Sequence, residues 1–277
     1  MGKSVTRLFT QFQPQNYELE LDLDREGMRF GGTVTIRGKK VGRPSERLTF
    51  HQKDLKITKA TVIKHDKTGD QPVELERINP QKSFEEVRLH AKGMIYPGEY
   101  TVTLEFEGDI TRPMNGIYPC FFKHGGVEKK LLATQFESHH AREAFPCIDE
   151  PEAKATFDLS LVTTSGETVI ANTPIKSQKT KGDRAHTSFE TTPKMSTYLL
   201  AFVTGELESL EAKTKDGVLV RTFATPDMIE HTQFALDCAV KTLDFYNSYV
   251  DTPYPLLNSY FNALPDFSSG SMENWDC

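Results

Sequence analysis

The chain has 277 residues, of which 37% are hydrophobic and 26% are charged, and its formal net charge is −6. These values are typical of a soluble globular protein, and the lack of a strongly basic segment argues against a nucleic-acid partner. No apolar run reaches the roughly 18 residues that a membrane-spanning helix needs. The four cysteines are widely spaced and no apolar leader opens the chain, so we predict free thiols and a cytoplasmic location.

Short segments of alternating hydrophobic and polar residues follow one another through most of the chain. In the first, Tyr17 to Leu23, hydrophobic residues occupy the odd positions and acids the even ones, which is typical of a strand with one buried face. The same reading predicts further strands over 33–37, 55–64, 87–89, 100–106, 131–136, 155–162, 169–171 and 198–203. Many short strands separated by turn residues predict a mainly β protein, with a large antiparallel β-sandwich domain over residues 1–205.

The pattern changes after Gly205. Thr225-Pro226 is predicted to open a helix, because proline fits the first helical turn, and the hydrophobic spacing stays helical as far as Tyr249. The predicted elements of this region are strands over 206–211, 218–224 and 259–264, with the helix before the last. These elements cannot bury a sheet on both faces. We therefore expect residues 206–277 to be the incomplete start of an α+β domain.

Metal ligands are not evident among the eight histidines. A helical zinc pair such as H-E-x-x-H needs two histidines one turn apart, and no two are spaced that way. His139 and His140 are adjacent, so they are expected to point in different directions and not to share an ion. His139 and Glu143 are four apart, but we interpret them as polar interface residues.

Other candidate catalytic groups favour structural interpretations. Asp149-Glu150 is an acidic pair between prolines, whereas acid–base work needs two carboxylates that face one gap. We predict a rigid turn in which Asp149 or Glu150 bonds to the backbone or to Arg142. Cys147 is predicted to be a buried thiol. From the residues alone, the chain has no catalytic set.

Two stretches nevertheless have a more specific pattern than loops need. The first is Thr134-Gln135-Phe136-Glu137, continued by residues 141–151 and 154–157. The second is Gly270-Ser271-Met272-Glu273-Asn274-Trp275, preceded by Pro265-Asp266-Phe267. Together they resemble the signature of the zinc aminopeptidase family, which includes aminopeptidase N, the puromycin-sensitive enzymes and leukotriene hydrolase. The second stretch is similar to that family's G-A-M-E-N exopeptidase motif, and the resemblance makes the second domain thermolysin-like.

The resemblance implies a substrate-binding set. Its members are Gln135, Glu137, Gly270, Ser271, Met272, Glu273 and Asn274. In the family, the residue matching Glu273 binds the free α-amine of the peptide, the one matching Glu137 supports it, and Gln135 lines the same pocket. The Gly270-Ser271 backbone would pair with the peptide like an added strand. An ammonium is what distinguishes a chain end, so two converging carboxylates would recognise it and reject a blocked end.

The resemblance also implies a metal that these residues do not supply. In the family, a downstream H-E-x-x-H and a further Glu hold zinc, which activates a water molecule. We therefore expect the N-terminal portion of a zinc metalloaminopeptidase that acts on peptides with a free N-terminus. The zinc would belong to the full-length parent, and this chain alone is expected to bind none and to be inactive.

The chain departs from the family pattern in three places, which involve four residues. Ser271 replaces Ala, His139-His140 replace Thr-Asp, and Asp276 stands where Gly follows the Trp. Several relatives have a cis peptide bond after the Glu of the first motif, so the same is predicted between Glu137 and Ser138.

Two alternatives from other classes stay open. A non-catalytic scaffold of the same fold would have no need of Glu137 and Glu273, which argues against it. A leukotriene-hydrolase-like epoxide hydrolase tends to carry Gln at the position of Glu137, which favours the peptidase. The sequence predicts neither the preferred N-terminal side chain nor the oligomeric state.

Overall fold

The computed structural model describes residues 7–67, 69–256, 258–275 and 277, and these residues form a mainly β structure with eighteen strands and one α-helix. The strands before residue 136 are β1 (Phe12–Asp24), β2 (Arg29–Lys40), β3 (Ser45–His51), β4 (Lys56–Asp66), β5 (Gly69–Pro72), β6 (Leu75–Gln81), β7 (Glu86–Ile95), β8 (Gly98–Asp109), β9 (Gly116–His124) and β10 (Val127–Gln135). The later elements are β11 (Thr156–Thr164), β12 (Thr168–Ala171), β13 (Ile175–Lys181), β14 (Arg184–Phe189), β15 (Phe202–Gly205), β16 (Glu208–Lys213), β17 (Leu219–Ala224), α1 (Gln233–Tyr249) and β18 (Asn258–Ala263).

The largest sheet has eight strands in the order β13-β14-β11-β1-β2-β8-β4-β5. Its pairs are antiparallel except β1 with β11, which run parallel with Tyr17 opposite Phe157. The two rings stack with centroids 5.0 Å apart. The prediction of a mainly β fold is confirmed, but the sheet is mixed, because hydrophobic alternation specifies a strand's buried face and not its partner's direction.

The main hydrophobic core joins this sheet to the three-stranded sheet β3-β7-β6. Phe12 of β1 and Phe50 of β3 meet edge to face, with ring centroids 5.3 Å apart. The inward residues of β1 and β8, among them Leu19 and Val102, belong to the same buried cluster. Burial of this apolar surface is the main favourable contribution to folding.

A four-stranded sheet, in the order β12-β15-β10-β9, carries one half of the candidate site. The strands β10 and β12 are both antiparallel to β15, so they run in the same direction, and their C-terminal ends lie at the same end of the sheet. Gly205 closes β15 with a φ of +156°, and a Cβ there would lie 2.5 Å from the Cβ of Leu131. Only glycine fits this close approach.

The C-terminal elements form the three-stranded sheet β16-β17-β18, with α1 in contact with β16 and β17. The helix starts later than predicted. The Thr225 carbonyl accepts hydrogen bonds from the Met228 and Ile229 amides, which forms a turn. A 3-10 helix then spans Ile229–Thr232, and α1 begins only at Gln233. The predicted strand over 198–203 is also partly wrong, because a 3-10 turn occupies Thr197–Leu199.

The helix α1 buries only part of its apolar surface. Leu236 and Ala239 are buried, whereas Phe234 is 79% exposed. No helix in the described ranges is long and apolar enough to cross a membrane. The division into domains at residues 205 and 206 stays a prediction.

Candidate functional site

The first motif lies where β10 leaves the core. Gln135 and Phe136 are buried, and the Phe136 ring packs edge to face on Phe145 with centroids 6.3 Å apart. Glu137, the next residue, is exposed. The peptide bond between Glu137 and Ser138 is cis, so that prediction is confirmed. The chain therefore passes from core to solvent at the acid that the resemblance singles out.

Buried polar contacts hold the segment that follows. The Arg142 guanidinium donates to Asp149 Oδ2 at 3.0 Å, and its other arm lies 3.1 Å from Glu85 Oε2. Thr197 Oγ1 donates to the other Asp149 oxygen at 2.7 Å. Glu150 accepts from the Leu8 amide, also at 2.7 Å. The prediction that Asp149 or Glu150 bonds to the backbone or to Arg142 is confirmed. Both Asp149 oxygens are occupied, whereas Glu150 Oε2 has no partner among the described residues.

Neutral buried groups support the same segment. The Asp149 amide donates to His51 Nδ1 at 3.0 Å. Burial, reinforced by the nearby Arg142 charge, lowers the pKa of His51 to about 3, so the imidazole is neutral in the folded protein. Burial raises the pKa of the Cys147 thiol well above its usual value, which confirms the prediction of an inert buried thiol. Cys120, Cys147 and Cys238 are free thiols, as predicted.

His139 and His140 correct one expectation. Their rings stack, with centroids 4.8 Å apart, instead of pointing in different directions, because this part of the chain is an irregular turn without the alternation of a strand. His140 Nδ1 lies 2.8 Å from Glu143 Oε1, which Lys53 contacts at 2.9 Å. Burial opposes ionisation of Glu143, but these two hydrogen bonds outweigh it and lower the pKa of Glu143.

His139 bonds to Ser138 Oγ and not to Glu143. Within the part of the chain that the structure describes, no group of three or more His, Cys, Asp or Glu side chains is placed to hold a metal ion. The residues described therefore do not fit a zinc ion.

The second motif follows β18 and attaches first to β9, the edge strand of the four-stranded sheet. Asp266 Oδ2 accepts from the Phe121 amide at 2.8 Å. The Asp266 carbonyl accepts from the Tyr118 hydroxyl at 3.2 Å and from the Cys120 thiol at 3.4 Å. The lead-in to the motif is thus held at both its backbone and its side chain.

Two further contacts join the motif to the ends of β10 and β12. Gln135 Nε2 donates to the Met272 sulfur at 3.5 Å, which brings the two motifs together. Asn172, directly after β12, donates from Nδ2 to the Trp275 carbonyl at 2.7 Å. The segment thus contacts β9, then the end of β10, then the residue after β12.

Glu137 and Glu273 are both exposed, and neither carboxylate has a hydrogen-bond or ion-pair partner among the described residues. Gln135 is only 5% exposed, and its Oε1 has no hydrogen-bond donor among the described residues. Asn274 Oδ1, in the second motif, likewise has no hydrogen-bond partner among the described residues, so these four groups are polar acceptors that the site leaves unused.

An open cavity of about 730 Å³ lies beside the second motif. Its lining includes Thr134, Phe202, Tyr260, Gly270, Ser271, Met272, Glu273, Asn274 and Trp275. Thr134 of the first motif lines this cavity, whereas Gln135 and Glu137 do not. The two motifs are thus linked by the Met272 contact and by the position of Thr134 in the cavity wall. Asp276, one of the departures from the family pattern, lies outside the described residues.

The sequence reasoning missed Asn172 and Asp266 as supports of the second motif. The sequence pattern indicated Asp266 only as a member of the Pro265-Asp266-Phe267 segment before the motif, and not as a residue that holds it. Asn172 had no signal beyond its position after a predicted strand, because its contact with Trp275 spans more than a hundred residues of chain.

Comparison with known proteins shows the family to which this chain belongs. Residues 13–199 match the family described as Peptidase M1 N-terminal domain, and residues 234–277 match the Peptidase family M1 domain. The chain belongs to the M1 peptidase family. Both motifs of this M1 chain lie in or beside the matched regions.

Its relatives include several enzymes named as aminopeptidases. Aminopeptidase N of Lactococcus lactis subsp. lactis is 43% identical over 99% of this chain and 31% of its own length. Aminopeptidase N of Lactobacillus delbrueckii subsp. lactis is 40% identical over 98% and 30%. Puromycin-sensitive aminopeptidase of Caenorhabditis elegans is 37% identical over 97% and 28%. The M1 chain therefore spans about 30% of the length of the relatives it matches.

Proposed function

We propose that this chain is the substrate-end-recognising portion of a zinc aminopeptidase, in which Glu273 and Glu137 bind the free α-amine of a peptide. The observation that carries the proposal is the contact between Gln135 and Met272, which joins the two motif segments. Each segment presents a carboxylate that is exposed and has no partner among the described residues. A pair of unpaired carboxylates on adjoining segments suits a cationic ligand.

The chemistry of a peptide end favours the same conclusion. A free N-terminus carries an ammonium with three N–H donors, and hydrogen bonds to charged groups contribute roughly 1.5–3 kcal/mol each. The unpartnered Gln135 Oε1 would supply a neutral acceptor beside the carboxylates. The Gly270-Ser271 backbone, which is exposed beside the cavity, would pair with the peptide main chain, and Met272 and Asn274 would complete the binding segment.

Zinc enters the proposal only through the resemblance to the zinc aminopeptidase family. The described residues have no donor set for a metal, so no step is assigned to a metal on this chain. We propose that the metal site lies in the part of the relatives' length that this chain does not span. The 277-residue chain by itself is then expected neither to bind zinc stoichiometrically nor to cleave peptides. A cytoplasmic location stays a prediction.

The test uses the native gene product that contains this chain. Release of the first residue is measured from matched peptides with free and acetylated N-termini, with and without a chelator. We expect chelator-sensitive cleavage of the free peptide only. Glu273→Gln and Glu137→Gln should each lower kcat/KM about 10- to 100-fold, in line with the loss of one charge-assisted hydrogen bond.

Glu152→Gln is the matched control, because Glu152 is an exposed acid outside both motifs, and it should leave kcat/KM unchanged. Cleavage of neither peptide would favour a non-catalytic scaffold. Hydrolysis of an epoxide substrate with no peptide cleavage would favour the leukotriene-hydrolase-like alternative. Equal cleavage of free and acetylated peptides would show that the two carboxylates do not recognise an amine.

A further inference from the structure

Asn172 is a buried amide that joins three separate parts of the chain. It follows β12 directly and is only 2% exposed. Its Nδ2 donates to the Leu199 carbonyl at 2.9 Å and to the Trp275 carbonyl at 2.7 Å, and its Oδ1 accepts from the Ala201 amide at 2.7 Å. We propose that Asn172 is a positioning residue that sets the place of Glu273 from the β domain, an inference that rests on the proposed function.

The three hydrogen bonds of this side chain can be made only by an amide. A side-chain amide has two N–H donors and an acceptor oxygen, and here both donors meet carbonyl oxygens while the oxygen meets an N–H. An aspartate would keep the bond to Ala201 but would turn an acceptor toward the Leu199 and Trp275 carbonyls. The site therefore requires an amide, and only one of its three bonds reaches the second motif.

The bond to Trp275 is the stronger of two contacts that flank Glu273. On one side, Met272 accepts from Gln135 through a thioether sulfur, which is a weak acceptor, at 3.5 Å. On the other side, the Trp275 carbonyl accepts from a buried amide at 2.7 Å. Two residues of chain span at most about 7 Å, so the anchor at Trp275 limits where the Glu273 backbone can lie.

Asn172 itself does not reach the ligand. It is buried, and it is not among the residues that line the cavity beside Glu273. Its effect on an amine would therefore pass entirely through the position of Glu273. This separates it from the binding set, whose members would contact the peptide.

The test is a double-mutant cycle on kcat/KM for a peptide with a free N-terminus, measured on the native gene product. Asn172→Asp should lower kcat/KM about tenfold, the size of one lost hydrogen bond. In a Glu273→Gln background the same change should lower it less than about twofold, because the carboxylate that Asn172 positions is already gone. Asn172→Ala, which removes both donors without burying a charge, is measured in parallel and should show the same coupling.

Ser196→Ala is the control for stability alone. Ser196 is a buried hydroxyl that donates to the Pro151 carbonyl at 2.7 Å, and among the described residues it has no hydrogen bond to the second motif. It should lower the unfolding temperature without changing kcat/KM or the coupling to Glu273.

A spectroscopic readout on the 277-residue chain uses Trp275, its only tryptophan. Asn172→Ala should shift its emission to longer wavelength and increase quenching by acrylamide, because the carbonyl anchor of that residue is lost. Ser196→Ala should change neither signal.

The outcomes distinguish the two proposals. Full additivity of Asn172→Ala and Glu273→Gln, or an unchanged Trp275 signal, would overturn the positioning role while leaving the amine anchor intact. If Glu273→Gln itself has no effect on kcat/KM, the proposed function fails first.

Discussion

Between Phe136 and Pro151 most residues are buried or half-buried, whereas from Gly270 to Trp275 most are exposed. The first segment carries Glu137 on a frame of ion pairs and aromatic contacts that resembles a protein core. The second carries Glu273 on a segment whose residues Asp266, Met272 and Trp275 bond to β9, to the end of β10 and to the residue after β12. The position of Glu137 is therefore set by a buried, well-packed segment, whereas the position of Glu273 depends on a few individual hydrogen bonds.

The largest expected effect is on the first segment. Arg142→Met removes the charged partner of Asp149, whose side chain is 1% exposed, and leaves a buried carboxylate with two neutral donors, the Thr197 hydroxyl and the backbone amide of residue 142. We expect the free energy of unfolding to fall by about 3–5 kcal/mol. The measurement is denaturant unfolding of the 277-residue chain. Arg37→Met is the control, since its ion pair with Glu18 is solvent-exposed and should change stability by less than about 1 kcal/mol. An equal loss of unfolding free energy in the two variants would show that the buried Arg142 ion pair contributes no more than a surface ion pair.

The second prediction concerns the pH dependence of the same frame. The pKa of His51 falls from its ordinary value of 6.5 to about 3 in the folded protein, so between these values the unfolded chain binds a proton that the folded chain does not. Stability is therefore lost as pH falls from about 6.5 toward 3, with a slope of up to about 1.4 kcal/mol per pH unit. In His51→Gln this contribution disappears, and the slope over that window should decrease by the same amount. The unfolding free energies of both proteins are compared at several pH values. Identical slopes would show that His51 is not held neutral.

The smallest expected effect on stability is in the second segment. Glu273→Gln changes an exposed side chain that has no partner among the described residues, so the free energy of unfolding should change by less than about 0.5 kcal/mol. The measurement is the same denaturant unfolding used for Arg142→Met. A loss of more than about 1 kcal/mol would mean that Glu273 holds the segment in place, and its role as a free acceptor for an amine would then be withdrawn.

Local patterns predicted much of the β architecture. The alternation at Tyr17 to Leu23 matches the buried face of β1, and the acidic turn at Asp149 bonds to Arg142 as expected. The start of the helix was wrong because the Thr225 carbonyl closes a turn that proline at 226 does not disclose. Stacking of His139 on His140 was missed because adjacent side chains diverge only in regular strands and helices.

Periodicity and motif residues are local features of the chain, so the class of the fold, the positions of most strands and the two motifs can be predicted from the amino-acid pattern. The parallel pairing of β1 with β11, and the contacts of Gln135, Asn172 and Phe121 with the second motif and its lead-in, are visible only in the folded structure. Those contacts join residues more than a hundred positions apart, and their energies depend on a burial and orientation that exist only after the sheets have packed.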